Sequence, residues 1–353
     1  MKIAQVCHRF HPSIGGIETH VFEVSKRLVA RGIEVDIITT EKLPVDHVLM
    51  DKLGLNVIQF QSVSPENAVF FSLDLYNYMK RSSGSYDVVH AHNYQALPAL
   101  FSALAKKENK FIFTPHFHDT ARSLLGRLFY GPYHYFGRRI FEKSDAVICV
   151  SNFEKKKILE MIYHDESKMC VIPNGVNKED FANIAKDENQ KFILSVGRLE
   201  QSKGLQYLID VLPYLDPDVV LHIVGDGPYR DALLQRAKEK GVLSRVHFSS
   251  RLSREELVKE YSLASLYVSL SLTEAFGITV AEALVAKTPC IVTTRSALAD
   301  WIDNKYCFGI DDPTDVVFFS KLINKVSNIE VGHVKIASWG DVTDRIVGIY
   351  EKA

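Results

Sequence analysis

Two glutamates set the chemical question. Glu274 and Glu282 lie in the run Ser271-Leu272-Thr273-Glu274-Ala275-Phe276-Gly277-Ile278-Thr279-Val280-Ala281-Glu282-Ala283, directly after an apolar, strand-like run from Ala264 to Leu270. On one continuous helix the two residues would stand about 12 Å apart along the axis, too far to share a small ligand easily. Glu274 therefore reads as loop, and Phe276-Gly277 as the opening of a helix that begins near Ile278. The unpaired N–H groups of its first turn form an anion site, flanked by the two carboxylates. An ionised carboxylate repels phosphate and can only accept hydrogen bonds. Beside a diphosphate the pair would thus take hydroxyls, one from a sugar and one from a ribose, which makes the stretch a cradle for a nucleotide sugar. A solvated acidic helix has the same composition, so the reading depends on the other loops.

Two of those loops carry glycine and cations. Gly197-Arg198-Leu199-Glu200-Gln201-Ser202-Lys203-Gly204 offers a forked donor and a point charge beside a permissive turn, a pair suited to a diphosphate and most useful as charge develops on a leaving nucleoside diphosphate. In isolation such cations are more often solvated. Gly225-Asp226-Gly227-Pro228-Tyr229-Arg230 begins like a dinucleotide fingerprint, but Arg230 replaces the third glycine; it reads as a tight turn near the nucleotide, with Pro228 at the first helical position. Near the amino terminus, Gly15-Gly16 in Pro12-Ser13-Ile14-Gly15-Gly16-Ile17-Glu18-Thr19-His20 lets backbone approach a ligand and adopt positive φ. It is neither a dinucleotide fingerprint nor a phosphate loop ending in Gly-Lys-Ser/Thr.

Histidines form the remaining candidates. His90-Ala91-His92 and His116-Phe117-His118 each place two imidazoles on one side of a strand end. Metal binding is not expected: a His-x-His-x-Asp pattern would need an acid where Thr120 stands, and neither pair has a Cys or Glu cluster. A hydrogen-bonding role at a strand's carboxyl end fits better, with His90 and His92 equally well read as structural.

The elements that must position these residues alternate. Ile3 to Cys7, Ile33 to Ile38, Asn56 to Phe60, Tyr86 to Ala91, Lys110 to Thr114 and Asp145 to Val150 read as strands separated by helical runs, the first helix spanning Ile17 to Ala30 with Val21, Val24, Leu28 and Val29 near helical spacing. After Pro173 the alternation restarts: strand Phe192 to Val196, helix Leu205 to Leu212, strand Val219 to Val224, helix Tyr229 to Lys240, strand Val246 to Phe248, the cradle, and strand Cys290 to Thr293. This predicts two parallel α/β domains, and 353 residues suit two cores better than one.

A net charge of −1 and a pI near 6.9 argue against a nucleic-acid partner. Five scattered cysteines without a Cys-x-x-Cys pair point to buried, reduced thiols and a cytoplasmic setting. No signal-peptide core and no stretch long and apolar enough for a membrane span is expected. One segment, 121–143, interleaves Arg122, Arg127, Arg138, Arg139 and Lys143 with leucines and aromatics. Aromatics at helical spacing usually belong to a core; the alternative is a helix pair resting on an anionic surface, giving peripheral contact at the inner membrane face.

Taken together, Gly15-Gly16-x-Glu18-x-His20, Asn174-Gly175-Val176, Gly197-Arg198-Leu199 with Lys203-Gly204, Gly225-Asp226-Gly227-Pro228, and Ser271-x-x-Glu274-x-Phe276-Gly277 with Glu282-Ala283 stand in the order found in retaining glycosyltransferases of the GT4 family, and the resemblance covers nearly the whole chain. Ala337-Ser338-Trp339-Gly340-Asp341-Val342 resembles the start of the family's terminal helix. The resemblance implies a GT-B fold: two facing Rossmann-like domains, here 1–172 on the acceptor side and 173–332 on the donor side, with a helix in 333–353 crossing back to the first. It implies transfer of a sugar from a nucleoside-diphosphate donor to a hydroxyl acceptor, soluble or lipid-linked, with retention and with neither metal nor cofactor.

Carried onto this sequence, Arg198 and Lys203 would hold the diphosphate near Gly15 and Gly16. Glu274 would contact the donor sugar and Glu282 the ribose, with Gly197, Gly225, Gly227, Phe276, Gly277 and Ile278 lining the nucleotide. The histidine near the donor sugar would be His116, by its Thr-x-His spacing, or His118. A nucleotide-sugar epimerase of the same fold and a non-catalytic nucleotide-sugar-binding partner are the alternative functions. Two departures stand out: Asn177 where the family usually has Asp, and Thr294 to Asp300 without the usual Gly-Gly and Glu.

Overall fold

A computed structural model describes residues 1–65, 69–117, 136–182 and 192–352. The chain divides into two compact units, Met1–Gly175 together with Trp339–Ala353, and Val176–Ser338.

The first unit is built on seven parallel strands: β1 (Lys2–Cys7), β2 (Glu34–Thr39), β3 (Asn56–Gln59), β4 (Val88–His92), β5 (Lys110–Thr114), β6 (Ala146–Cys149) and β7 (Met169–Val171), in the order β3-β2-β1-β4-β5-β6-β7. A parallel sheet covered on both faces needs continuous apolar runs, and β1 supplies one: Ile3, Ala4, Val6 and Cys7 are fully buried. The helix Gly16–Ala30 turns Val21, Val24 and Leu28 inward and ends where Gly32 takes a φ of 76°.

The last helix, Trp339–Lys352, belongs to this unit. It buries Trp339, Val342, Thr343, Ile346 and Tyr350, a stripe at helical spacing. Burial of Val342 and Ile346 contributes about 1.5–3 kcal/mol each. Arg31 pairs with Asp344 at 2.5 Å on the exposed side, while Tyr350 Oη reaches the sheet, accepting from Gln5 Nε2 at 3.1 Å and bonding His90 Nδ1 at 2.6 Å.

The second unit holds six parallel strands: β8 (Phe192–Val196), β9 (Val220–Val224), β10 (Val246–Ser249), β11 (Leu266–Ser269), β12 (Cys290–Thr293) and β13 (Cys307–Ile310), ordered β10-β9-β8-β11-β12-β13. In each sheet the direction of winding reverses beside its first strand, between β1 and β4 and between β8 and β11. Loops at the carboxyl ends of strands open there, which is where ligands bind in open α/β sheets.

Strand and helix types follow the sequence pattern, with three differences. Pro228 does not open its helix, which runs Arg230–Glu239; the backbone turns first through Gly227, whose N–H accepts no helical role but donates to Asp226 Oδ1 at 2.8 Å. Neither Gly15 nor Gly16 takes positive φ; Gly15 is extended, with φ 179°. The sequence pattern does not mark β13, a short sheet-edge strand with glycine inside it, nor the helices Arg254–Leu263 and Val316–Val326. All five cysteines lie in strands and are free thiols, Cys170 half-buried and the others buried. Within 121–143 only 136–143 is described; it is helical, with Ile140 and Phe141 in the core and Arg138 paired outward with Glu142. Among the described residues no helix is long and apolar enough to cross a membrane.

Candidate functional site

In the second unit, loops following β8, β9 and β11 are laced together by backbone. Gly197 N donates to Val224 O and Leu199 N to Asp226 O, both at 2.9 Å, and Leu272 N donates to Ser202 O at 2.9 Å. The first two loops pass so closely that a Cβ on Gly225 would fall 1.9 Å from Gly197 O, and one on Gly227 would fall 2.4 Å from Leu199 O. These two glycines therefore serve contact between loops, whereas Gly197 has no atom within 4 Å of a would-be Cβ and leaves open space beside Arg198.

Glu274 is in a loop and the helix starts at Ile278, as the spacing predicts; its cap is Gly277, in the left-handed region at φ 90°. A side chain there would strike Leu298 Cδ2 at 2.4 Å. Trp301 fixes the turn before the helix, donating from Nε1 to Phe276 O at 2.7 Å and lying edge-on to the Phe276 ring, centroids 5.0 Å apart.

The charged groups are already partnered. Lys203 Nζ lies 2.5 Å from Glu274 Oε1, with both side chains mostly covered. Arg198 is the more exposed cation and leans on Glu200 at 3.2 Å. Glu282 is buried and bonded by Arg254 Nη1 at 2.5 Å; Arg254 Nε also reaches Asp180 at 2.8 Å, and its guanidinium sits over Phe181. Burial raises the Glu282 carboxyl above its ordinary range, and the Arg254 charge opposes that rise. The acceptor-only reading of Glu282 thus needs an addition: one oxygen is engaged by an arginine that no spacing in the sequence associates with it.

In the first unit the candidates gather at the ends of β1, β4 and β5. His92, on β4, donates from Nε2 to Gln5 Oε1 at 2.7 Å, and its Nδ1 is 3.4 Å from His116 Nε2. His90 bridges Tyr350 Oη and Thr114 Oγ1, at 2.6 and 2.8 Å, and is a wholly buried structural group. His116 follows β5 in the left-handed region, φ 47°, next to Asn93 at φ 72°. Non-glycine residues persist there only where surroundings hold them, and the two turns are tied by Asn93 N to Thr114 O at 3.1 Å and Tyr94 N to Pro115 O at 2.8 Å.

A further tie is Glu154, from the helix Asn152–Met161. Its carboxylate accepts from Phe117 N at 2.5 Å and from Val150 N at 2.6 Å, anchoring the residue after His116. Burial pushes Glu154 up to about 8, against the pull of those two donors. His118 lies outside the described residues.

The sequence pattern names His20 within Gly15-Gly16-x-Glu18-x-His20 but does not place it beside the other histidines. It projects from the helix Gly16–Ala30 one turn before Val24, is fully buried, and has Nδ1 2.7 Å from Asn174 Oδ1. His20, His92 and His116 each offer a nitrogen within 4.8 Å of the others. Burial lowers all three: His20 to about 4, opposed by the Asn174 bond, and His92 and His116 well below the usual histidine range. Burial thus favours the neutral form of each. A polar residue on the apolar stripe of a helix was the readable signal for His20; for Glu154 it was the Ser151-x-x-Glu154 spacing of a helix start, and for Arg254 there was none.

Comparison with known proteins bears on both units. Residues 14–180 match the family model described as Glycosyltransferase Family 4, and residues 176–336 match that described as Glycosyl transferases group 1. An uncharacterized glycosyltransferase of Methanocaldococcus jannaschii is 27% identical, over 100% of this chain and 98% of that protein. The D-inositol 3-phosphate glycosyltransferase of Mycolicibacterium smegmatis is 24% identical, over 96% of this chain and 86% of that protein. The GPI3 subunit of a Saccharomyces cerevisiae phosphatidylinositol N-acetylglucosaminyltransferase is 26% identical, over 99% and 82%. Among solved structures, Anabaena HepE in complex with UDP and glucose superposes with a TM-score of 0.82 over 100% of both chains, at 16% identity.

Proposed function

The chain belongs to the family 4, group 1 glycosyltransferases and has their GT-B fold, and from that premise we propose that it moves a sugar from a nucleoside-diphosphate sugar, uridine-linked, to a hydroxyl acceptor with retention at the anomeric carbon. The observation that carries this reading is the second unit's loop cluster: Arg198 and Lys203 on one turn, Glu274 beside Lys203 at 2.5 Å, and a helix N-terminus capped by Gly277. A diphosphate entering that cluster meets a helix N-terminus and two cations, which can carry its charge in place of a divalent ion once they turn from Glu274 and Glu200.

As the bond to the anomeric carbon breaks, negative charge accumulates on the leaving diphosphate, and Arg198 and Lys203 stabilise it where it develops. Lys203 then exchanges part of its interaction with Glu274 for phosphate, and Glu274 accepts from a donor-sugar hydroxyl. Glu282, oriented by Arg254, accepts from the ribose. No enzyme nucleophile is needed, because the leaving phosphate can itself take the acceptor's proton. His116 is the neutral hydrogen-bonding contact offered to the donor sugar. The uridine assignment draws on HepE, whose structures hold UDP and UDP-glucose. Inositol-bearing acceptors join simple sugars as the first to try, because two relatives carry inositol in their names.

The test is a thermal-shift panel of UDP, GDP, ADP and their sugar conjugates without added metal, followed by product analysis with acceptors. A selective UDP shift, lost in Arg198→Ala, together with an acceptor-dependent α- or β-product matching the donor's configuration, is expected. Acceptor-independent conversion of the sugar would instead identify an epimerase, and inverted product would remove the retaining assignment.

A further inference from the structure

Three buried histidines converge in the first unit in a way that hydrogen bonding alone does not use up. His20, from the helix Gly16–Ala30, gives its Nδ1 position to Asn174 Oδ1 at 2.7 Å, and its Nε2 is buried without a hydrogen-bond partner among the described residues. His92 gives Nε2 to Gln5 Oε1 at 2.7 Å, because the Gln5 amide nitrogen is committed to Tyr350 Oη, and this leaves the Nδ1 lone pair to accept only the long bond from His116, which a metal ion would replace. That Nδ1 is 3.4 Å from His116 Nε2. Two nitrogens bound to one zinc ion at about 2.0–2.1 Å in tetrahedral geometry stand about 3.3 Å apart. The His92–His116 separation is thus already a metal bite, and the third imidazole's ligand atom lies within 4.8 Å of both.

We propose that His20, His92 and His116 form a three-imidazole site for a divalent transition metal of zinc or cobalt type, with its fourth position open. The arrangement supplies what such sites require. Two of the imidazoles have their opposite nitrogen held by an amide oxygen, Asn174 for His20 and Gln5 for His92, the outer contact that fixes tautomer and ring orientation in histidine metal sites. Sulfur and carboxylate ligands are absent from the trio, which favours zinc, cobalt, nickel or copper over magnesium or calcium. Occupancy would engage His116 Nε2, so metal would inhibit sugar transfer rather than support it. That consequence rests on the proposed donor contact of His116; the binding itself does not.

The test uses the full chain, freed of metal by chelator and titrated with Co²⁺ while visible absorption is followed. One equivalent should produce the intense bands of tetrahedral cobalt, and Zn²⁺ should abolish them by displacement. His20→Gln and His116→Asn should each remove the bands, and Asn174→Ala, which keeps all three imidazoles, should weaken Co²⁺ about ten- to a hundredfold. X-ray absorption of the zinc-loaded wild type, expected to count three imidazoles, decides the matter even if a variant fails to fold. The proposal is overturned by absence of a stoichiometric tetrahedral spectrum, by fewer than three imidazoles at the zinc, or by undiminished binding in both histidine variants, which would place the metal elsewhere among the chain's 13 histidines. Zinc that binds as described but leaves transfer untouched would reject only the donor contact of His116.

Discussion

Gly225 and Gly197 face each other across two loops, and alanine at each should do different damage. At Gly225 the new methyl would lie 1.9 Å from Gly197 O, a backbone atom that cannot rotate away, and the residue's φ of 147° already disfavours a side chain. Backbone strain costs about 1–3 kcal/mol, and forcing an atom into a packed contact about 1–3 kcal/mol more, so Gly225→Ala should destabilise the second unit by about 4 kcal/mol. For a unit of that size the midpoint should fall about 8–16 °C. At Gly197 a methyl meets no atom within 4 Å, so Gly197→Ala pays only for its φ of 155°, about 1–3 kcal/mol. Yet that open space borders Arg198, where a diphosphate would approach. Calorimetry and UDP titration on both variants separate the two effects: Gly225→Ala should lower the midpoint most, and Gly197→Ala should lose more UDP affinity than its smaller stability loss accounts for. If Gly225→Ala melts like wild type, the loop-packing argument fails; if Gly197→Ala binds UDP normally, the donor does not pass beside that glycine.

Three further outcomes are expected. Lys203→Ala removes a largely covered partner of Glu274, so stability should fall by about 1.5–3 kcal/mol while turnover falls about a hundred- to thousandfold; steady-state kinetics beside a melt would check it, and unchanged turnover would remove Lys203 from the diphosphate. Arg254→Ala leaves the buried Glu282 carboxylate uncompensated and should cost about 3 kcal/mol, with a double-mutant cycle against Glu282→Gln showing coupling of about 2 kcal/mol; strict additivity would deny the pair. Glu154, raised by burial to about 8 from an ordinary carboxyl near 4.5, binds its proton more tightly folded than unfolded, so its contribution is fully present below about 4.5 and is lost as pH rises through 8. Glu154→Gln should therefore remove a slope of about 1.4 kcal/mol per pH unit from the wild-type stability profile between those limits; parallel profiles for the two proteins would refute it.

The strands themselves, and the loops that carry the candidate residues, follow from features a sequence can carry, whereas the strand order does not. Apolar runs such as Ile3 to Cys7 and Phe192 to Val196 mark parallel strands, and Gly277 before an apolar helical run marks where a helix can begin. Partners across the fold could not be read in this way. His20, His92 and His116 are far apart in the chain and meet because β1, β4 and β5 are neighbours in the sheet and the helix Gly16–Ala30 packs over their ends. Arg254 meets Glu282 because two helices of the second unit lie side by side. Pairing of this kind depends on tertiary packing, to which spacing along the chain is blind. Glycine was legible as a need for space without revealing what fills it: at Gly225 and Gly227 the neighbour is another loop, and at Gly15 it is the Glu18 carboxylate, 2.4 Å from a would-be Cβ.

The two units use one topological device for different electrostatics. Each opens its loops where the strand order reverses, yet the first fills that point with neutral imidazoles whose protonation burial suppresses, and the second fills it with Arg198, Lys203, Glu274 and Glu282. Neutral groups discriminate hydroxyls by direction and tolerate little misplacement, whereas charges act over distance and tolerate more. This difference matches the unequal freedom of the side chains. The His116 turn is held by a left-handed backbone, two interloop hydrogen bonds and the Glu154 carboxylate, all acting on orientation. Arg198 sits on a turn whose backbone is tied to the end of β9 and the loop after it by Gly197 N to Val224 O and Leu199 N to Asp226 O, but its side chain is exposed and pairs with Glu200 at 3.2 Å. Both turns are held at the backbone; what differs is the side chain, buried and directed at His116 and exposed at Arg198, where Coulomb attraction needs less direction.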